Sequence, residues 1–216
     1  YFYIEENINR ELRKHPADTL KITQGFICRN VFGETDNLKR GGSDYSASII
    51  GAVLKVREIQ IWTDISGFHN NDPRFVENTS VIRELSFDEA AELAYFGAKI
   101  LHPSSVNPAR EKNIAVRLKN TMDPEDEGTL ITSNSVLLDY KAVAAKDGIA
   151  VFRIKSARML MAYGFLRKVF EIFEAYKTPI DMVTTSEVGV SLTIDNPQYL
   201  DEIAKDLREL GSVEVE

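Results

Sequence analysis

The stretch Arg40-Gly41-Gly42-Ser43-Asp44 sets a guanidinium, two glycines, a hydroxyl and a carboxylate at the start of an apolar, helix-like run. Two glycines let the backbone approach a ligand closely, and the helix that follows aims free N–H groups and its dipole at an anion. Arg40 would add a bidentate fork for a carboxylate or phosphate. The same residues also suit an ordinary turn with Ser43 or Asp44 as helix N-cap. Further along, Trp62-Thr63-Asp64 ends a strand-like run in a hydroxyl and a carboxylate, and Asp72-Pro73-Arg74 follows with a fixed turn and a cation. These groups could hold a nucleotide, its phosphates and Mg²⁺, or form a solvated loop built on Asx turns. Lys99, within Gly97-Ala98-Lys99-Ile100-Leu101-His102-Pro103, suits a point-charge phosphate contact or a snorkelling surface side chain.

Towards the C-terminus, Met159 to Leu166 leads into a helical pattern and Ile180 to Glu187 ends a strand pattern. One reading is core methionine and leucine with a polar hairpin. The other is a pocket in which a free helix N-terminus near Gly164 takes a carboxylate while Asp181 and Glu187 take an ammonium, the groups of a basic amino acid. His15, His69 and His102 are too scattered for a metal site, so none is expected, and His102 before Pro103 reads as a packed or capping residue. The phosphate-loop, dinucleotide-glycine and His-Glu-x-x-His patterns are absent, as is the nucleophile elbow Gly-x-Ser-x-Gly.

Elements must position these groups. The 216 residues exceed one usual domain, with 44% hydrophobic and 27% charged residues. Formal charge is −7, and the parts before and after Thr132 are both acidic, which argues against nucleic acid or an anionic membrane as partner. Cys28 is the single cysteine, so a reduced, cytoplasmic setting is expected. No apolar run reaches a membrane span, no signal pattern opens the chain, and the start Tyr1-Phe2-Tyr3-Ile4 reads as the interior of something longer.

Ile4, Ile8 and Leu12 predict a helix to about Lys14, ended by Pro16. Thr19 to Cys28 reads as a buried strand, Arg29 to Ser43 as a loop, Tyr45 to Val56 as a helix and Glu58 to Asp64 as a strand. A polar loop then spans Thr63 to Ser80. Ser86 and Glu89 have capping-box spacing for a helix ending near Gly97; Pro103-Ser104 starts a short helix, and Ile114 to Leu118 alternates as a strand. Strands alternating with helices imply a mostly parallel sheet, with ligands at the loops beyond strand C-termini. A boundary falls near Ser133-Asn134. Beyond it come a strand at Val136 to Val143, a strand at Ile149 to Lys155, a helix at Gly164 to Tyr176 and strands at Ile180 to Thr185 and Gly189 to Ile194. A helix at Pro197 to Leu210 and a strand at Val213 to Val215 complete the β-α-β-β-α-β order of a ferredoxin-like unit from Ile149.

Arg40-Gly-Gly-Ser-Asp-Tyr45, Trp62-Thr-Asp64, Asp72-Pro-Arg74 and Phe96-Gly-Ala-Lys-Ile-Leu-His-Pro103 occur in an order that resembles aspartate kinases. Gly164-Phe-Leu166 and Val183-Thr-Thr-Ser-Glu-Val188 look like the first ACT regulatory domain of the lysine-sensitive members. The resemblance implies an α/β fold: residues 1–132 as the C-terminal part of an amino-acid-kinase α/β/α sandwich and 133–216 as a ferredoxin-like α+β ACT unit. Within the latter, residues 133–148 make a linker and a strand that a second ACT unit would claim.

By that resemblance the activity is transfer of the ATP γ-phosphoryl group, with Mg²⁺, to the β-carboxylate of L-aspartate. Arg40, Gly41, Gly42 and Ser43 match aspartate-binding positions and Asp44 the acidic active-site position. Thr63, Asp64, His69, Arg74, Lys99 and Ile100 match nucleotide contacts, His69 standing where Tyr is common. Met159, Gly164, Phe165, Leu166, Asp181, Thr185, Ser186 and Glu187 match positions for L-lysine as effector, and Ala162 stands where Ser is often found. The resemblance further implies a homodimer through ACT units. The family's Lys-Phe-Gly-Gly-Thr stretch has no counterpart here, so the isolated chain is expected to lack kinase activity. Competing readings are an amino-acid-sensing and dimerisation module, or another kinase of the superfamily such as a glutamate kinase.

Overall fold

The structure is a computed structural model that describes residues 2–97, 100–134, 140–157, 159 and 163–216. Lys99 and Ala162 lie outside the described residues, as does 136–139 of the strand expected at Val136 to Val143, whose remaining residues 140–143 are not in a strand. Two compact units divide the chain, Tyr1–Ala145 and Lys146–Glu216.

In the first unit, α1 (Phe2–Leu12) carries the Ile4, Ile8, Leu12 stripe. The buried strand expected over Thr19 to Cys28 is not formed. Leu20 and Ile22 are 86% and 88% exposed, because no strand among the described residues supplies the ladder partner that a buried strand requires. Only β1 (Ile27–Arg29) forms, antiparallel to β2 (Thr35–Asn37), which occupies part of the expected loop. Asn30 Oδ1 closes the hairpin by accepting from the amides of Phe32 and Glu34.

Next, α2 (Gly42–Leu54) begins at Gly41, which adopts a left-handed φ of 69°. Gly51 lets this helix press on the sheet, since a Cβ there would fall 2.6 Å from Ile59 Cδ1. The sheet comprises β3 (Glu58–Thr63), β4 (Glu84–Ser86), β5 (Ala115–Asn120) and β6 (Thr129–Thr132) in the order β3-β5-β6-β4. β3 and β5 are parallel, as are β4 and β6, while β5 and β6 run antiparallel. The mostly parallel sheet was expected; β4 and β6 are too short to stand out in a period-2 reading. Its core gathers Ile59, Ile61, Phe68, Leu85, Phe87, Val116, Leu118 and Ile131.

Helix α3 (Phe87–Tyr95) starts with the capping box read from sequence: Ser86 Oγ accepts from Glu89 N, and Glu89 Oε2 accepts from Ser86 N. A 3₁₀ turn at Pro103–Val106 leads into α4 (Asn107–Glu111).

The second unit holds β7 (Ala150–Lys155), α5 (Phe165–Ala175), β8 (Met182–Thr185), β9 (Gly189–Ile194), α6 (Leu200–Leu207) and β10 (Ser212–Val215). Its sheet order β10-β7-β9-β8 is antiparallel throughout, the ferredoxin-like arrangement that the β-α-β-β-α-β order predicts. The helix expected from Pro197 is divided: Asn196 accepts from Gln198 N and caps a 3₁₀ turn, and α6 begins only at Leu200.

Phe152 of β7 meets Phe173 of α5 edge to face at 5.5 Å between ring centroids. Both are buried with Val169, Leu192, Ile203 and Leu207. Tyr176 Oη donates to Asp206 at 2.8 Å, tying the end of α5 to α6 and raising the phenol's pKa. Because Phe173 fills the centre of this core, Phe173→Ala should destabilise the second unit by about 3–5 kcal/mol, measured as a lower urea midpoint in circular dichroism.

Candidate functional site

A loop after β3 frames the site, and it is a fixed loop. Phe68, fully buried, plugs it into the core; Phe68 N donates to Thr129 Oγ1 at 2.9 Å, and Ile82 N donates to Phe68 O at 2.7 Å. Gly67 reaches this position with φ 118° and lies against Thr129, where a side chain would collide. Asn70 N to Ser80 O and a bridge between His69 and Val81 close the loop's far side. At its root, Thr121 N donates to Thr63 O, coupling the C-terminal ends of β3 and β5.

This frame encloses a cavity of about 550 Å³ lined by Thr63, Asp64, His69, Arg74 and Ile100, with Asp72 and Leu93 among its other walls. Five of the six residues matched to nucleotide contacts thus share one cavity, at the C-terminal edge of a parallel strand where the sequence placed a ligand. The sixth, Lys99, lies outside the described residues. Arg74 is paired with Asp72 through Nε and Nη2, the shortest contact being 2.5 Å. Hydrogen bonds from the Arg74 side chain and backbone hold the Asp72 carboxyl below its usual range, so it is ionised at neutral pH. Thr63 Oγ1 lies 3.1 Å from Asp64 Oδ1, and His69 Nδ1 lies 2.9 Å from Thr79 Oγ1. No group of three or more potential metal ligands occurs among the described residues. Two carboxylates beside a phosphate-sized space still fit Mg²⁺ that arrives with phosphates and keeps its waters.

Arg40 to Asp44 stand apart from the cavity lining, at the N-terminus of α2. Gly41 is required twice: it takes the left-handed backbone, and a Cβ on it would fall 2.7 Å from His102 Cβ. That close approach sets His102 and Ser105 beside the Arg40 to Asp44 motif, a neighbourhood that spacing alone did not reveal. His102 Nδ1 contacts Ser104 Oγ at 2.6 Å, and Ser105 Oγ donates to His102 O. Neither Ser43 nor Asp44 caps the helix through its side chain, so the N-cap alternative fails and both side chains remain available. Gly42 is buried, and Ser43 and Arg40 are exposed.

In the second unit, Gly164 takes a left-handed φ of 79° and opens α5 without a side-chain cap, leaving first-turn amides able to donate to a ligand's carboxylate. Phe165 is buried there, and Met159 and Leu166 pack against the same core. Asp181 precedes β8, where its N–H donates to Thr193 O at 2.8 Å; Thr185 closes β8 opposite Val190. Ser186 and Glu187 lie exposed in the turn to β9. Asp181 and Glu187 therefore bracket a strand and stand roughly 15–20 Å apart. One ammonium does not reach both within one copy of the chain, which corrects their reading as a joint cation site.

The residues that sequence reasoning missed are Ile65, Asn71 and Leu93, together with Val143, Ala144 and Ala145, all of which line the cavity. No motif marks them; Val143 ends the strand expected at Val136 to Val143, and Ala144 and Ala145 follow it.

Residues 3–120 match the Amino acid kinase family, and the chain belongs to that family. It is 43% identical over 211 residues to aspartokinase 3, chloroplastic, of Arabidopsis thaliana, an alignment that takes in 91% of this chain and 37% of that protein. The structure of E. coli aspartokinase III in complex with lysine and aspartate matches with a TM-score of 0.83 and 37% identity, over 98% of this chain and 49% of that one. The same E. coli protein in complex with aspartate and ADP matches at 0.80, with the same identity and coverage. The chain thus spans about a third of the curated relatives' length and half of the solved chains. The α/β fold with a ferredoxin-like second unit is the fold of these aspartokinase structures.

Asp44 carries a testable cost. Burial raises its carboxyl pKa, so the folded state holds the proton more tightly than the unfolded chain does. That preference favours folding below the unfolded-state pKa of about 3.9 and is lost as pH rises through the folded value. Asp44→Asn should therefore raise the melting temperature at pH 7 and leave it nearly unchanged at pH 3, read by differential scanning calorimetry at both pH values.

Proposed function

We propose that this chain is part of an aspartate kinase, with residues 1–132 contributing to the kinase domain and the part beyond them carrying an ACT-type regulatory unit that binds L-lysine, whose compact body is Lys146–Glu216. The observation that carries this reading is the gathering of Thr63, Asp64, His69, Arg74 and Ile100 on one cavity, at positions matched to nucleotide contacts by resemblance. Similarity to a protein solved with ADP, aspartate and lysine supports the choice of ligands.

The reaction brings two anions together. A β-carboxylate oxygen of L-aspartate forms a bond to the γ-phosphorus of ATP, the bond from that phosphorus to the β,γ-bridging oxygen breaks, and ADP leaves with the electron pair. A carboxylate is already nucleophilic, so no proton needs to be removed; the protein's work is placement and charge neutralisation. Arg40 with the Gly41-Gly42 backbone and the α2 N-terminus would receive the substrate carboxylates, and Asp44 would face its ammonium. Arg74 would exchange its Asp72 partner for phosphate oxygens, while Asp64 and Asp72 would hold the Mg²⁺ that accompanies ATP. Lys99 would add a further cation.

Lysine would dock its carboxylate on the amides opened by Gly164 and its ammonium groups on Asp181 or Glu187. Since these two stand at opposite ends of β8, a homodimer that brings the end of one copy to the other completes the site. The exposed edge strand β8, bearing Met182 and Val183, supports such pairing. A cytoplasmic setting completes the proposal.

Calorimetric titration of the chain with Mg·ADP and with L-lysine tests both sites. Both ligands should bind. Arg74→Ala should weaken Mg·ADP by about 1.5–3 kcal/mol, the range for a hydrogen bond to a charged group, and leave lysine unchanged. Asp181→Ala should do the reverse. Lysine binding without nucleotide binding would replace this reading with that of a sensing module.

A further inference from the structure

We propose that residues 140–145 form a fixed strap that supplies the base-facing wall of the nucleotide cavity, and that Lys141 is the positioning residue that holds it. This rests on the cavity being a nucleotide site.

Val143, Ala144 and Ala145 line the cavity although they lie about seventy residues beyond the other loop that builds it. Two attachments fix them. Val143 N donates to Asn70 O at 2.9 Å, joining the strap to the loop after β3. Lys141, whose side chain is only 9% exposed, places Nζ 2.8 Å from Glu89 Oε1 and 2.9 Å from Oε2. Glu89 is itself pinned, because its Oε2 accepts from Ser86 N in the capping box of α3. The carboxylate that anchors the strap therefore also satisfies a helix N-terminus, where negative charge is favoured. Gly97, at φ 142°, leaves room for the Ala145 carbonyl that any side chain would obstruct.

The chemistry of this wall differs from that of the loop facing it. Val143, Ala144 and Ala145, with Leu93, Gly97 and Ile100, offer aliphatic surface and no charge; Asp64, Asp72 and Arg74 belong to the loop after β3. Aliphatic surface does nothing for a phosphate but suits a flat, weakly polar ring. Val143 is 68% exposed, an apolar side chain left uncovered by the core and open to a base. The strap is therefore assigned to the adenine end of the ligand, and the loop after β3 to the phosphates.

Titrations of the chain with ADP and with adenosine separate the two roles. Lys141→Met leaves Glu89 without this partner and should weaken ADP and adenosine in parallel, by about tenfold, the scale of a modest misplacement of a binding wall. Lys141→Arg should restore both to within about threefold. Arg74→Ala should weaken ADP and spare adenosine. Ala144→Asp, which keeps the Lys141–Glu89 pair, should abolish adenosine binding and tests the wall even if Lys141→Met fails to fold. If the unaltered chain binds ADP and adenosine while Lys141→Met and Ala144→Asp bind both equally well, the strap is overturned and the nucleotide site stands. If the unaltered chain binds neither, the nucleotide reading falls and takes the strap with it.

Discussion

The parallel pairing of β3 with β5 is the constraint on which the first unit depends. Ile59 lies opposite Val116 and Ile61 opposite Leu118, all buried, so the register is set by apolar side chains that cannot slip by one residue without facing solvent. The pairing ends with Thr63 beside Asn120, and Thr121 N donating to Thr63 O carries it one step further. Everything functional about the cavity starts from that edge: Thr63 and Asp64 emerge there, Asn120 Nδ2 reaches Ser66 Oγ, and Phe68 drives the loop back into the core. The cavity is therefore a product of strand register before it is a product of its polar residues.

A second dependency concerns charge. The chain is acidic overall, yet the proposed reaction joins anions, so cations must be concentrated where phosphates arrive. Arg74 meets this need while held by Asp72, a carboxylate that the same contact keeps ionised. An ion pair on an exposed loop contributes little stability. Its value lies in orientation, because it presents a guanidinium at the cavity in a defined direction before any ligand enters. Asp44 shows the opposite trade, a carboxylate kept where burial disfavours its charge, which is the kind of cost that functional positions carry.

Much of this was legible in the residues. The alternation of β5, the strand runs at β3, β7 and β9, the Ser86–Glu89 capping box and the split βαβ order all reported local physics, and local physics survived folding. Of the residues matched by resemblance to nucleotide contacts, Thr63 and Asp64 stand at the end of β3, where chain direction predicts a ligand; His69, Arg74 and Ile100 were marked by the resemblance and reach the cavity from loops. What failed depended on distant partners. Thr19 to Cys28 is apolar enough for a buried strand, but an apolar run has no strand identity without a ladder neighbour. β4 and β6 are short and read as strands only once they pair with each other. Asp181 and Glu187 looked like one cation site in sequence, and strand geometry separated them. Val143 read only as the end of an expected strand and Ala144 and Ala145 carried no signal, since these aliphatic residues acquire their place from Asn70, Glu89 and Gly97.

The central claim is that one cavity binds a nucleotide between the loop after β3 and the 140–145 strap, independently of a lysine site in the second unit. Hydrogen–deuterium exchange by mass spectrometry, with Mg·ADP and L-lysine added separately, tests it most directly. The account predicts that Mg·ADP slows exchange in peptides covering residues 63–75 and 140–145, and that lysine slows exchange around 164–166 and 181–187. Protection by Mg·ADP confined to other segments, or absent from 63–75, would contradict it.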